Sequence, residues 1–194
     1  MNLPNKLTML RIILVPFFVL FMSIEASAMN LFIALIIFSV ASLTDMLDGK
    51  IARKYGLVTN FGKLMDPLAD KVLVMSAMLC FVSEDLAPAW IVIVILTREF
   101  LVTSLRLIAA GEGTVIAADK WGKIKTVTQM IWIIWTILWL CVIATGIFNS
   151  FADHGITVIG YLLSDILMYA STFFTLLSGF NYVYKNRQLL FSDM

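Results

Sequence analysis

Two pairs of aspartates stand close together in this sequence. Asp45 and Asp48 are three residues apart, Asp66 and Asp70 are four apart, and all lie in the stretch LTDMLDGKIARKYGLVTNFGKLMDPLADK, residues 43–71. On a helix, such spacings put both members of a pair on one face. A short connection between two helices folds them antiparallel, so the two pairs can converge. Carboxylates gathered in an apolar setting repel one another, and each costs about 2.5–3.5 kcal/mol to insert. Something positive must sit among them. Carboxylate oxygens suit hard divalent cations, so Mg²⁺ or Mn²⁺ is the expected occupant. Two such ions, about 3.5–4 Å apart, are typical of phosphoryl chemistry. The plainer alternative pairs the four aspartates with Lys50, Arg53, Lys63 and Lys71 at a solvated interface. It explains one pair well, and two pairs meeting across a hairpin poorly.

The neighbouring residues suit a phosphate-bearing ligand. Gly49 and Ala52 follow Asp45 at i+4 and i+7, so small residues share the carboxylates' stripe. They leave room either for a nucleotide or for close helix packing. Arg53 offers a rigid fork of donors for a phosphate. Gly62 permits a close approach, and Asp66-Pro67 reads as a helix start with proline at its first position.

The elements that position these residues are set by the composition. Of 194 residues, 61% are hydrophobic and 14% charged, with a mean hydropathy of +0.95. A soluble domain carries about 25% charged residues, so this chain cannot coat itself in water and belongs in a bilayer. A hydrocarbon core about 30 Å thick needs roughly 20 apolar helical residues. Six segments qualify, near 11–29, 30–50, 67–84, 87–109, 122–147 and 166–185. The expectation is an all-α membrane protein with six transmembrane helices in a single domain, residues 1–194, with Asn2–Leu10 lying at the membrane surface. The loops near 23–30, 84–88 and 148–163 hold Glu25, Glu84, Asp85 and Asp153 and no Lys or Arg. The positive-inside rule then puts both termini, and the loops near 51–66 and 110–121, in the cytoplasm.

Several features carry a plainer meaning. Cys80 and Cys141 lie in apolar runs and read as buried packing thiols. Ser164-Asp165 reads as an N-cap for the last span, and His154 as a solvated residue of the loop before it. Lys6, Arg11, the run Ile12–Met22 and Ala26-Ser27-Ala28 imitate a cleavable signal peptide; Pro16 and the short polar gap favour an uncleaved first helix. No basic stripe stands apart from the apolar segments, so nucleic acid is not an expected partner.

The spacing Asp45-x2-Asp48-Gly49-x2-Ala52-Arg53-x8-Gly62-x3-Asp66-x3-Asp70 resembles the signature of the CDP-alcohol phosphotransferase family at every fixed position. Within that family, NLPNKLTMLR at the start, LTREFLVTSLR at 96–106 and GKIKT at 122–126 are similar to the phosphatidylglycerophosphate synthases, so the likeness covers nearly the whole chain. The resemblance implies that Asp45, Asp48 and Asp66 are the main metal ligands, with Asp70 completing the site or acting as general base. It implies that Gly49, Ala52 and Arg53 line the CDP site and that the enzyme is a homodimer. It also implies that the primary hydroxyl of glycerol 3-phosphate attacks the lipid-linked phosphate of CDP-diacylglycerol, releasing CMP. Serine, inositol phosphate or a phospholipid are the alternative acceptors. A small cation transporter is the alternative of a different class, disfavoured because transporter sites usually lie near the midplane in related halves. No serine or cysteine has an obvious histidine partner, so direct transfer is favoured over a covalent enzyme intermediate.

An acceptor with its own phosphate needs cations apart from the metals. Arg98, Glu99 and Arg106 are unusual company in the fourth span, and Glu99, Thr103 and Arg106 fall at i, i+4 and i+7, one polar stripe. Lys123 and Lys125 open the fifth span on the same side. Arg106, Lys123 and Lys125 are the candidate ligands of the acceptor phosphate. The alternative makes Arg98 and Glu99 a structural pair and leaves the lysines obeying the topology rule.

Overall fold

The computed structural model describes residues 2–24, 27–55, 60–111, 120–147 and 154–187. Six helices follow one another, α1 (Leu3–Ser23), α2 (Ala28–Tyr55), α3 (Asn60–Ser83), α4 (Ala89–Gly111), α5 (Lys120–Ala144) and α6 (His154–Lys185), and no strand occurs among the described residues. Among the described residues, three helical stretches are long and apolar enough to cross a membrane: Asn5–Ser23, Lys120–Ala144 and His154–Lys185. In α2 the apolar stretch Ala28–Thr44 is the part whose side chains are described. Charge is what separates α3 and α4 from the others. Every 18-residue stretch of α3 holds Asp66, Asp70 and Lys71, and every such stretch of α4 holds Arg98, Glu99 and Arg106.

The chain divides into two compact units, Met1–Glu84 with Ile133–Tyr161, and Asp85–Trp132 with Leu162–Met194. In the first, α1 buries Val15, Phe18 and Met22 and α2 buries Leu31, Ala34, Phe38 and Ala41, with the Phe18 and Phe38 rings 5.6 Å apart. α3 adds Ala69, Leu73, Ala77 and Phe81. Apolar side chains gain little by leaving lipid for protein, so small residues that let backbones approach closely matter most at such seams. Ala34, Ala41, Ala69 and Ala77, all fully buried, fill that role. Large apolar residues on other faces, such as Ile13, Phe17, Phe32 and Ile36, are exposed, the pattern expected of helices solvated by lipid. The same unit holds a contact between α5 and α6. Trp135 Nε1 donates to the Gly160 carbonyl at 3.2 Å, and Trp135 stacks on Trp139 with centroids 6.0 Å apart. In the second unit, Val102, Leu105 and Tyr182 form a buried cluster, and Trp121 stacks on Phe174.

Four expectations need correction. Residues Leu3–Leu10 are the opening turns of α1, not a separate surface segment. Pro4 stands in the first turn, where its missing N–H costs nothing. Asp66-Pro67 does not start a helix: α3 begins at Asn60 and Pro67 lies inside it, as prolines do in membrane helices whose freed backbone groups are satisfied locally. Asp165 is not a cap but an exposed residue within α6, and His154 is that helix's first residue, not a loop residue. The run between them contains two glycines, Gly155 and Gly160, and the second packs against a neighbouring ring. That glycine provides close contact with Trp139, not a break: a Cβ there would lie 1.9 Å from the indole.

Candidate active site

Both aspartate pairs sit within continuous helix. α2 runs past Asp45 and Asp48 to Tyr55, and α3 runs through Gly62, Asp66 and Asp70. The i,i+3 and i,i+4 relations inferred from spacing are therefore relations of helical backbone. The side chains of Asp45, Asp48, Gly49, Ala52 and Arg53 lie outside the described residues. Gly62 is buried in the first turn of α3, Asp66 is half-buried and Asp70 is exposed. Asp66 Oδ1 accepts a hydrogen bond from Thr8 Oγ1 at 2.5 Å. No group of three acidic, cysteine or histidine side chains gathers among the described residues. The donors that are described, two carboxylates one helical turn apart with a hydroxyl behind one of them, are all oxygen, and fit a hard divalent cation better than a soft one.

The cationic residues belong to the second unit. Arg98 on α4 donates from Nη1 to Glu99 Oε1 at 2.8 Å and from Nη2 to Ser178 Oγ on α6. Lys125 on α5 donates to the same Glu99 oxygen at 2.7 Å. Its side chain is 4% exposed, against 22% for Glu99. Glycines make the space for this arrangement. A Cβ on Gly179 would lie 3.0 Å from Arg98 Cγ, and one on Gly122 would lie 3.4 Å from Arg98 Nη2. Two cations on one carboxylate leave this cluster with a net positive charge. Arg106 is exposed; its Nε donates to Tyr182 Oη at 3.3 Å and its guanidinium stands 5.7 Å from the tyrosine ring centre. Lys123 is exposed on α5. Of the three cations expected to meet an acceptor phosphate, Arg106 and Lys123 are thus accessible, and Lys125 is buried against Glu99.

Residues that the spacing did not single out also enter the picture. Asn5, Thr8 and Arg11 are buried polar residues at intervals of three along α1. That interval, in an otherwise apolar helix, was the available signal. Ser178 and Tyr182 are buried one turn apart on α6 and partner the two arginines of α4. Nothing in their spacing distinguishes them from Ser171 and Thr175, which are equally buried.

Comparison with known proteins agrees with the motif. Residues 1–177 match the family model described as CDP-alcohol phosphatidyltransferase. The chain is 42% identical to a CDP-diacylglycerol–glycerol-3-phosphate 3-phosphatidyltransferase of Bacillus subtilis (strain 168), across 97% of each chain. It is 36% identical to the protein of the same name from Rickettsia typhi, across 93% of this chain and 94% of that one. A probable phosphatidylglycerophosphate synthase of Mycobacterium tuberculosis is 43% identical across 67% of this chain and 63% of its own. With the aspartate pairs on adjoining helices and the likeness running through most of its length, the chain belongs to the CDP-alcohol phosphatidyltransferase family.

Proposed function

We propose that this enzyme transfers the phosphatidyl group of CDP-diacylglycerol to glycerol 3-phosphate, giving phosphatidylglycerophosphate and CMP. The observation that carries the reading is the 42% identity across 97% of the chain to a protein named for that reaction. The charged residues of α3 and α4 support it, since they supply carboxylates for a metal-bound diphosphate and cations for a second phosphate.

In this reading Asp45, Asp48, Asp66 and Asp70 hold two Mg²⁺ or Mn²⁺ ions, which when bound neutralise the diphosphate and ease the departure of CMP. Gly49, Ala52, Arg53 and Gly62 line the nucleotide. Arg106 and Lys123 receive the acceptor's phosphate, and Lys125 adds its charge through the cluster with Glu99. The primary hydroxyl oxygen of glycerol 3-phosphate attacks the phosphorus that carries diacylglycerol. A new P–O bond forms, the bond from that phosphorus to the CMP oxygen breaks, and CMP leaves with the electron pair. The hydroxyl proton passes to the Asp70 carboxylate, exposed on α3 and so able to reach a substrate hydroxyl. All six helices span the membrane as a single domain, both termini face the cytoplasm with the active site, and the enzyme works as a homodimer among membrane lipids.

The test is CMP release by the purified protein in detergent with CDP-diacylglycerol and one acceptor at a time. Release is expected with glycerol 3-phosphate, its loss in chelator and its return with Mg²⁺ or Mn²⁺. Asp45→Asn and Asp48→Asn should remove it, because neutral amides bind hard dications poorly. Release with serine or inositol phosphate but not with glycerol 3-phosphate would overturn the acceptor. Full turnover in chelator would overturn the metal site.

A further inference from the structure

The first helix contributes more than a membrane span. Thr8 and Arg11, both 0% exposed, lie three residues apart on α1, and Asn5 is buried one step earlier. Thr8 Oγ1 donates to Asp66 Oδ1 on α3. Arg11 Nε donates to the Ala41 carbonyl on α2 at 3.2 Å, four residues before Asp45. Thr44 Oγ1 donates to that same carbonyl at 2.8 Å. One buried face of α1 therefore grips both of the helices that carry the aspartate pairs.

The behaviour of Thr8 is not that of a helical threonine at rest. A hydroxyl within a helix commonly turns back to the carbonyl four residues earlier. Thr103, Thr172 and Thr175 do so, donating to Glu99, Met168 and Ser171. Thr8 instead spans 58 residues of sequence to reach a carboxylate. Rotation about the last bond of an aspartate side chain is broad. A fully buried hydroxyl donating to one oxygen fixes the plane of the group and the direction of its lone pairs. Groups that orient a metal ligand in this way govern affinity as well as shape, and their loss costs about 10–100-fold in metal binding.

We propose that Thr8 is a positioning residue for the metal-binding aspartates. Its hydroxyl sets the orientation of the Asp66 carboxylate, while Arg11 holds α2 one helical turn from Asp45. This rests on the reading of Asp66 as a metal ligand, and the test separates the two. Mn²⁺ binding to the full-length protein in detergent is followed by the electron paramagnetic resonance signal of free Mn²⁺, in the absence of substrate. The proteins compared are wild type, Asp66→Asn, Thr8→Val and Thr8→Ser. Valine keeps the shape of threonine and removes the hydroxyl; serine keeps the hydroxyl. Asp66→Asn should lose binding, Thr8→Val should bind about 10–100-fold more weakly, and Thr8→Ser should stay close to wild type. The metal-free melting temperature of Thr8→Val should stay close to that of wild type. Wild-type Mn²⁺ affinity in Thr8→Val would overturn the positioning role and leave Asp66 a ligand, provided Asp66→Asn still fails to bind. Equal weakening in Thr8→Val and Thr8→Ser would also overturn it, since the hydroxyl would not be the cause. A wild-type protein that binds no Mn²⁺ would overturn both readings together.

Discussion

Lys125 on α5 places its Nζ 2.7 Å from Glu99 Oε1 on α4, and both side chains are largely buried. Arg98 occupies the other side of the same oxygen at 2.8 Å. Removing the carboxylate alone takes the counter-charge from two cations. Glu99→Ala should therefore destabilise the protein by about 3–5 kcal/mol, the usual cost of breaking a buried pair from one side. The double variant with Lys125→Met should recover part of that loss. Chemical unfolding in detergent, run as a double-mutant cycle, measures both. Strict additivity would mean that the pair contributes nothing.

Arg106 should behave differently, because it is exposed and rests on Tyr182. If Arg106 holds the acceptor's phosphate as proposed, Arg106→Ala removes a charge-assisted contact worth about 1.5–3 kcal/mol. The expected result is a roughly ten- to hundredfold rise in KM for glycerol 3-phosphate, with little change for CDP-diacylglycerol. Tyr182→Phe keeps the ring beneath the guanidinium and should give a smaller rise. Steady-state kinetics with each substrate varied in turn decides the matter. Unchanged acceptor parameters in Arg106→Ala would place the phosphate elsewhere.

Gly160 should not tolerate a methyl group. Its Cβ would fall 1.9 Å from the Trp139 ring, while Gly155, on the same helix, meets nothing within 4 Å. Gly160→Ala should cost about 1–3 kcal/mol, as overpacking does. Gly155→Ala should stay within about 0.5 kcal/mol of wild type. Melting temperatures of the two variants in one detergent provide the comparison.

The topology is open to labelling. Both native cysteines are free and buried, so a Cys80→Ala, Cys141→Ala background is a suitable start. A cysteine in place of His154 should react with an impermeant reagent added outside intact cells. One in place of Lys185 should react only after the membrane is opened. The reverse pattern would overturn the orientation.

Spacing within one helix was the readable part of this sequence. The pairs Asp45/Asp48 and Asp66/Asp70 were legible because period and chemistry coincide on single elements. Which helix faces which is not written in any local period. Lys125 read as a cation for a phosphate, yet it turns to Glu99, 26 residues earlier on another helix. Thr8 read as part of a surface segment, yet its partner is 58 residues away. Asp165 and Pro67 misled for the opposite reason. Each is a strong local boundary signal, and in each case the apolar run on its far side was long enough to carry the helix through.

The bond between neighbours Arg98 and Glu99 also bears on how the chain is made. Ser178, which completes the seat of Arg98, is synthesised 80 residues later. At about 5–20 residues per second that is roughly 4–16 s of translation. If α4 spans the membrane as proposed, it enters the bilayer during this interval carrying a guanidinium whose partner on α6 does not yet exist. Glu99 is the one partner in this cluster that leaves the ribosome together with Arg98. The carboxylate that later joins α4 to α5 would thus serve first as a travelling counter-ion, lowering the cost of insertion before there is a protein interior to enter.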